Sequence, residues 1–165
     1  MTTQDSASGQ ALMERTRRAV HTDCLFCGQR NPGGFHLGFR ARRDGSVRAE
    51  FVCGASLRGY SDVLHGGVVS ALLDAAMTNC LFSHGIVAVT AELTVRFVRP
   101  VRTGQPAELT AVVSGVRGPL YDLCAELRQE GIIRAHARAR FMRSKCPVPG
   151  LDTGGGQPAP SRDDS

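Results

Sequence analysis

The chain lacks the features of an exported or membrane protein. No apolar run reaches the ~18 residues that a membrane-spanning helix needs, and the N-terminal residues MTTQDSASGQ lack the basic and apolar regions of a secretory signal. We therefore expect a cytoplasmic protein with no membrane partner. In that compartment the cysteines are expected to be reduced thiols; they are Cys24, Cys27, Cys53, Cys80, Cys124 and Cys146.

The chain also lacks the patterns that accompany nucleic-acid binding. Lys and Arg number 20 against 15 Asp and Glu, which gives a net charge of +5 and a pI of about 9.2. However, there is no lysine-rich tail, and aromatic residues are not interleaved with basic ones as in single-strand binders. We therefore expect no nucleic-acid partner. A phosphorylated small molecule would use the same positive charge.

The length fits one domain, which can bury roughly 70% of its unfolded surface. Residues 1–21 are expected to form a flexible segment and a short amphipathic helix over 9–20, followed by a folded domain over 22–145. Residues 146–165 are rich in Pro, Gly and Ser and are predicted to be a disordered, dispensable tail.

Within the folded region, hydrophobic periodicity predicts a hairpin, one apolar helix and a run of antiparallel strands. The last strand places Ala135, Ala137 and Ala139 on its core side, which leaves room for a thick element such as a helix. The pattern therefore predicts an α+β fold in which a curved antiparallel sheet of about five to six strands wraps one long central helix. The predicted elements are hairpin strands at 35–42 and 46–53, a helix at about 66–83, and strands at 86–98, 106–116, 119–129 and 132–143.

A lone carboxylate stands near the middle of this apolar helix. Between Asp62 and Glu92 the only formal charge belongs to Asp74. A 3.6-residue period divides the helix into two stripes. One is apolar (Val69, Leu72, Leu73, Ala76, Cys80) and suits the sheet. The other is small and polar (Gly67, Ser70, Ala71, Asp74, Thr78) and suits close approach by a ligand or another chain.

The start of the helix suggests attack on a polarised carbonyl. Gly66 and Gly67 allow a ligand to approach the free first-turn amides, which can bind an oxyanion. Asp74 would activate water or attack directly. Because Gly66 and Asp74 are eight residues apart, ~12 Å along one helix, one helix cannot present both groups to one carbonyl. If both act, they come from two subunits, which predicts at least a dimer.

Each of these residues also has a purely structural interpretation. Asp74 can hydrogen-bond a hydroxyl or a backbone group, and His65 can serve as a helix-entry residue. These alternatives stay open from the pattern alone.

Three stretches, in this order, resemble the hotdog-fold acyl-CoA thioesterases of the PaaI-like branch. HGGVVSALLD, 65–74, resembles that family's His-Gly-Gly followed by Asp seven residues after the second glycine. TAELTVRFVRPV, 90–101, resembles the strand that follows. CLFCGQRNPGGFHLGF, 24–39, is similar to a segment of a sub-branch with mitochondrial members. The resemblance covers about residues 22–143.

The resemblance implies a hotdog fold, a homodimer or homotetramer with sheets joined edge to edge, and hydrolysis of coenzyme A thioesters. Carried over by position, it implies a catalytic role for four residues: Asp74 as base or nucleophile, Gly66 as oxyanion amide, His65 orienting the thioester carbonyl, and Thr90 positioning water. On the alternation of its strand, Thr90 is expected to face away from the core with Glu92, Thr94 and Arg96. One departure is Gly59, where some relatives have an Asn near the thioester.

Two further sets of residues are candidates for binding a ligand or a metal. Arg96, Arg99 and Arg102 can bind coenzyme A phosphates together with the Gly67 amide, or can be solvated. Cys24 and Cys27 form a lone CxxC, whereas a structural zinc needs four ligands. His36, Cys53 or a symmetry mate could complete such a site, but the sequence favours a packed turn, so we expect no metal and no cofactor.

The leading prediction is an acyl-CoA thioesterase. The alternative is a non-catalytic acyl-CoA binding or sensor protein on the same fold, against which Asp74 together with Thr90 argues. A hydratase-like enzyme would need an acid/base His paired with an acidic residue in a context that the sequence does not show. The sequence does not identify the acyl chain.

Overall fold

The structure is a computed structural model that describes residues 4–144. The predicted tail at 146–165 lies outside the described residues. Helix α1 spans Gln4–Val20 and helix α2 spans Gly66–Ser83. The strands are β1 (Arg40–Ala41), β2 (Val47–Val52), β3 (Arg58–Tyr60), β4 (Val63–Leu64), β5 (Ala88–Phe97), β6 (Pro106–Arg117), β7 (Leu120–Gln129) and β8 (Ile132–Arg143).

Six strands form one antiparallel sheet in the order β1-β2-β6-β7-β8-β5. The short strands β3 and β4 pair separately, just before α2. The sheet curves around α2, so the predicted architecture of one central helix wrapped by an antiparallel sheet is confirmed. The bounds of α2 and β8 agree with the predicted ones.

The core lies between α2 and the concave face of the sheet. In β8, Ala135, Ala137 and Ala139 are all at most 6% exposed, and small side chains there let the helix sit close to the sheet. The whole apolar stripe of α2 is buried, whereas its small polar stripe is not. By length and composition α2 could cross a membrane, but 67% of it is buried inside the fold, as in the core helix of a globular protein.

Two predicted bounds differ from the structure by more than two residues. Helix α1 extends N-terminally to Gln4, beyond the expected start at residue 9. The first hairpin strand is only two residues long, because residues 35–37 bond to the preceding connector instead: Phe35 N donates to Leu25 O at 2.7 Å and Leu37 N to Phe26 O at 2.8 Å. Between them His36 has a φ of 49°, which interrupts the extended backbone.

Strand β5 contains an irregularity that changes which face its residues occupy. Opposite β8, Thr90 pairs with Phe141 and Glu92 with Arg140, so Ala91 is an extra residue in the ladder. Such a β-bulge shifts the alternation by one. Phe141 belongs to the buried concave face, and Thr90, directly opposite, shares that face. The expectation that Thr90 faces away from the core with Glu92, Thr94 and Arg96 is therefore wrong for Thr90.

Candidate active site

The N-terminus of α2 is capped by His65. Its backbone is extended (φ −60°, ψ 132°), and its Nδ1 accepts a hydrogen bond from Gly67 N at 2.9 Å. Because Nδ1 uses its lone pair in this bond, the proton of the neutral ring is on Nε2. The imidazole is exposed, so its Nε2–H is available to a ligand at the helix start.

Gly66 is the first residue of α2, so its N–H has no acceptor within the helix. A Cβ at this position would lie 3.5 Å from the Phe97 ring, which comes from the end of β5. Gly59 lies against the cap, since a Cβ there would be 3.2 Å from His65 Cδ2. An aromatic ring and a free backbone donor thus meet at the helix start.

The carboxylate in the middle of α2 meets a hydroxyl from the sheet. Thr90 Oγ1 donates to Asp74 Oδ1 at 2.7 Å. Asp74 is half-buried and Thr90 is exposed. The bulge at Ala91 makes this contact possible, because it turns Thr90 toward the helix. One carboxylate oxygen is oriented by the hydroxyl, and within residues 4–144 no hydrogen bond engages Oδ2.

Asp74 also acts electrostatically on His21, at the end of α1. Burial lowers the pKa of His21, and the Arg17 guanidinium lowers it further, while the negative charge of Asp74 opposes both. His21 packs edge-on against the ring of Phe82, with centroids 5.2 Å apart. The N-terminal helix therefore ends close to the central carboxylate.

The structure separates the predicted residues into two groups on one helix. His65, Gly66 and Gly67 are together at its start, and Asp74 is with Thr90 near its middle. Helix α2 is continuous between them, so they are ~12 Å apart along its axis. Within one chain the two groups therefore do not meet at one point, which agrees with the prediction from their spacing.

The three predicted phosphate-binding arginines are exposed at and beyond the end of β5. Within residues 4–144, Arg96, Arg99 and Arg102 form no salt bridge. The backbone of this segment is fixed: Arg99 N donates to Arg134 O at 2.9 Å, and Arg102 N to the side chain of the buried Gln129 at 2.8 Å. Ordered backbone with unpaired guanidinium groups suits an anionic ligand.

A second cluster, of metal-ligand type, involves a residue that the sequence did not indicate. The ligand atoms of His21, Cys24 and Cys27 all lie within 4.8 Å of one another. The two residues that the sequence suggested are not part of this cluster: His36 Nδ1 contacts the backbone oxygen of Gly28 at 2.9 Å, and Cys53 lies near Gln129. His21 precedes the CxxC by only three residues, so the spacing HxxCxxC is the signal that could have identified it.

The segment that contains the candidate site is similar to a known protein family. Residues 62–135 match the family model of the thioesterase superfamily. This segment contains α2, β5, Asp74 and Thr90. The matched segment is less than half of the chain; together with the shared fold it confirms the resemblance to hotdog-fold thioesterases of the PaaI-like kind. No curated protein sequence matches the chain.

Solved structures share the fold at low sequence identity. A thioesterase superfamily protein has 24% identity and a TM-score of 0.70; the match covers 73% of this chain and 60% of that protein, so this chain spans less than two thirds of its length. The Escherichia coli PaaI protein, from the phenylacetic acid degradation operon, has 18% identity and a TM-score of 0.64, covering 86% of this chain and 100% of that one.

A third similar structure contains a ligand. A hypothetical thioesterase from Streptococcus pneumoniae was solved with coenzyme A; it has 16% identity and a TM-score of 0.62, covering 66% of this chain and 88% of that one. The same S. pneumoniae protein was also solved as an aspartate-to-alanine and as a threonine-to-alanine variant, at positions 16 residues apart. Asp74 and Thr90 are likewise separated by 16 residues.

Proposed function

We propose that the protein is an acyl-CoA thioesterase that hydrolyses a coenzyme A thioester to the free acid and coenzyme A. The observation that carries this proposal is the Asp74–Thr90 pair, a half-buried carboxylate oriented by a hydroxyl within the segment that matches the thioesterase superfamily. The equal separation of the substituted aspartate and threonine in the S. pneumoniae relative supports it.

In the proposed reaction, Asp74 accepts a proton from water while the water oxygen attacks the thioester carbonyl carbon. The carbonyl oxygen becomes an oxyanion and is stabilised by Gly66 N–H and by the Nε2–H of His65. The intermediate then collapses, the C–S bond breaks, and the coenzyme A thiolate leaves and takes the proton from Asp74, which restores the carboxylate. Asp74 attacking the carbon directly, with later hydrolysis of the anhydride, would use the same residues.

The two groups of residues are proposed to meet across a dimer interface. Strand β5 is an edge of the sheet and is ten residues long, whereas β1, at the other edge, has two. An exposed edge of this length favours pairing with another strand. If two copies pair antiparallel through β5, the Thr90 end of one strand lies beside the Phe97 end of the other. Asp74 of one protomer would then face Gly66 of its partner.

The phosphates of coenzyme A are proposed to contact the group Arg96, Arg99 and Arg102 at the same end of β5. Their unpaired guanidinium groups offer bidentate hydrogen bonds. Phosphate binding at that end would leave the thioester close to the helix start, where the Gly66 amide lies. The Gly67 amide, which the sequence suggested as a substrate contact, already donates to His65 Nδ1.

A complementation experiment tests the shared site. Gly66→Pro removes the proposed oxyanion donor at the first helical position, where proline is tolerated. His65 already has the extended backbone that a following proline requires. Asp74→Asn removes the base. Each variant alone is expected to lose acyl-CoA hydrolysis, measured as free thiol release.

Mixing and reassociating the two variants distinguishes the arrangements. If each site takes Gly66 from one subunit and Asp74 from the other, every heterodimer has one intact site, and roughly a quarter of wild-type activity returns. If both groups act within one subunit, no activity returns. A monomeric protein with full activity would contradict the shared site, and an Asp74→Asn protein with unchanged turnover would favour the non-catalytic acyl-CoA binding alternative.

A further inference from the structure

The segment between α1 and β1 contains a group of side chains that the proposed hydrolysis does not use. His21 Nδ1 lies 3.4 Å from Cys27 Sγ, and Cys24 completes a set whose ligand atoms are all within 4.8 Å of one another. A tetrahedral zinc, with Zn–N of 2.0–2.1 Å and Zn–S of 2.3 Å, places a nitrogen and a sulfur ligand about 3.6 Å apart. The observed separation is close to that of two ligands sharing one ion.

The backbone around the two cysteines forms a tight turn. A Cβ at Gly28 would lie 2.4 Å from Cys24 N and 2.5 Å from Thr22 O, so only glycine fits. Gly28 N donates to Cys24 O at 2.9 Å, which closes the turn. Phe26 N donates to Cys24 Sγ at 3.4 Å. A backbone donor aimed at the sulfur stabilises a thiolate, the form that binds metal.

A second and independent observation comes from helix α2. Asn79 is fully buried, its Nδ2 donates to Ala75 O at 2.8 Å, and its side chain is a neighbour of Cys27. Its Oδ1 has no hydrogen-bond partner among the described residues. A buried polar atom without a partner is costly. Water bound to a metal at this site would be a donor for Oδ1.

From this geometry we infer that His21, Cys24 and Cys27 bind one zinc ion, with water as the fourth ligand. Two thiolates balance the charge of Zn²⁺, so the partly buried site has no net charge. Imidazole and thiolate are the ligands that zinc prefers. This inference replaces the sequence-based expectation of no metal, because the structure adds a third ligand and a buried amide that the CxxC alone did not indicate.

The site would attach the N-terminal helix to the core. His21 directly follows α1 and the cysteines lie in the connector. Asn79, on α2, would bond the metal-bound water, so the ion and its water would link three segments. The zinc site is thus expected to be structural, and its presence does not depend on the proposed hydrolysis.

Elemental analysis of the full-length protein, purified under reducing conditions, tests the inference. We expect about one zinc per chain in the wild type, and more than a tenfold loss in Cys24→Ser and in His21→Ala. Cys124→Ser is the matched control, since Cys124 is a half-buried thiol on the sheet, and it should keep its zinc.

Cobalt substitution of the wild-type protein provides a test that does not depend on recovering folded variants. Replacing zinc with Co²⁺ in the wild type should give the absorption of a tetrahedral thiolate complex, and chelation should lower the melting temperature. A wild-type protein that contains no zinc and takes up none from micromolar solution would overturn the inference. So would a Cys24→Ser protein that keeps its metal, or a Cys24–Cys27 disulfide in protein kept under reducing conditions.

Discussion

The two stripes of α2 belong to one helix but differ in burial and in expected role. The apolar stripe contacts the concave face of the sheet and is fully buried, whereas the stripe of Gly67, Ser70, Ala71, Asp74 and Thr78 is only partly covered. The first stripe holds the fold together, and the second carries Asp74, the carboxylate that is proposed to act as the base. Stability and turnover are therefore expected to respond to different residues only a few ångströms apart.

The largest effect is expected on the buried stripe. Leu72 is 0% exposed, and Leu72→Ala should lower the free energy of unfolding by about 2–5 kcal/mol, because it removes buried methyl groups and leaves a cavity. Urea denaturation gives the magnitude. The fraction that remains folded should keep its turnover number; a large fall in kcat at unchanged stability would mean that the two stripes are not separate in function.

On the partly exposed stripe, Asp74→Asn should lower turnover and leave stability almost unchanged. The substitution is nearly isosteric and can still accept the Thr90 hydrogen bond, but it cannot take a proton. We expect kcat to fall about 10²-fold or more, with binding of acyl-CoA and the melting temperature close to wild type. Measuring both quantities on one sample separates the roles, and a marked loss of stability would identify Asp74 as structural.

A smaller effect is expected for the partner of this carboxylate. Thr90→Val keeps the shape and strand preference but removes the hydroxyl, and should lower kcat about tenfold, the scale of one hydrogen bond to a charged group. Thr90→Ser, which keeps the hydroxyl, is the matched control and should retain most activity. Equal losses in both variants would point to packing of the threonine methyl rather than to the hydrogen bond.

The smallest effect concerns thiol reactivity on the two stripes. Burial raises the pKa of Cys80 to about 12, so at pH 8 its thiolate is scarce and it should resist alkylation in the native protein. A cysteine introduced by Thr78→Cys, on the partly exposed stripe, should react readily. Mass spectrometry of alkylated peptides compares the two positions, and fast labelling of Cys80 would show that its face opens.

Much of this division could be predicted from the sequence. The 3.6-residue period of the apolar residues gave the bounds of α2 and both stripes, because a helix that packs on a sheet must bury one side. The isolated charge at Asp74 indicated the chemical side. The alternation in IIRAHARARFMR predicted both ends of β8 correctly, and its alanines predicted that a helix packs against this strand.

Other features could not be predicted, for physical reasons. The hydrogen bonds of Phe35 and Leu37 to the connector are long-range, and no local propensity indicates that they replace a strand ladder. The approach of His21 to Cys24 and Cys27 depends on a turn whose shape shows only in three dimensions. The bulge at Ala91 leaves no mark in TAELTV, which alternates without interruption.

The bulge has a consequence for anyone who redesigns or aligns this strand. Positions 90 and 92 are both even-numbered, yet residue 90 faces the central helix and residue 92 faces away from it. A substitution scan that assumes that every even-numbered residue of β5 faces away from the helix would therefore be correct at residues 92, 94 and 96 and wrong at residue 90. Deleting Ala91 would remove only the extra residue, so Thr90 would stay opposite Phe141 and Glu92 opposite Arg140, and both side chains would keep their present sides in a regular strand.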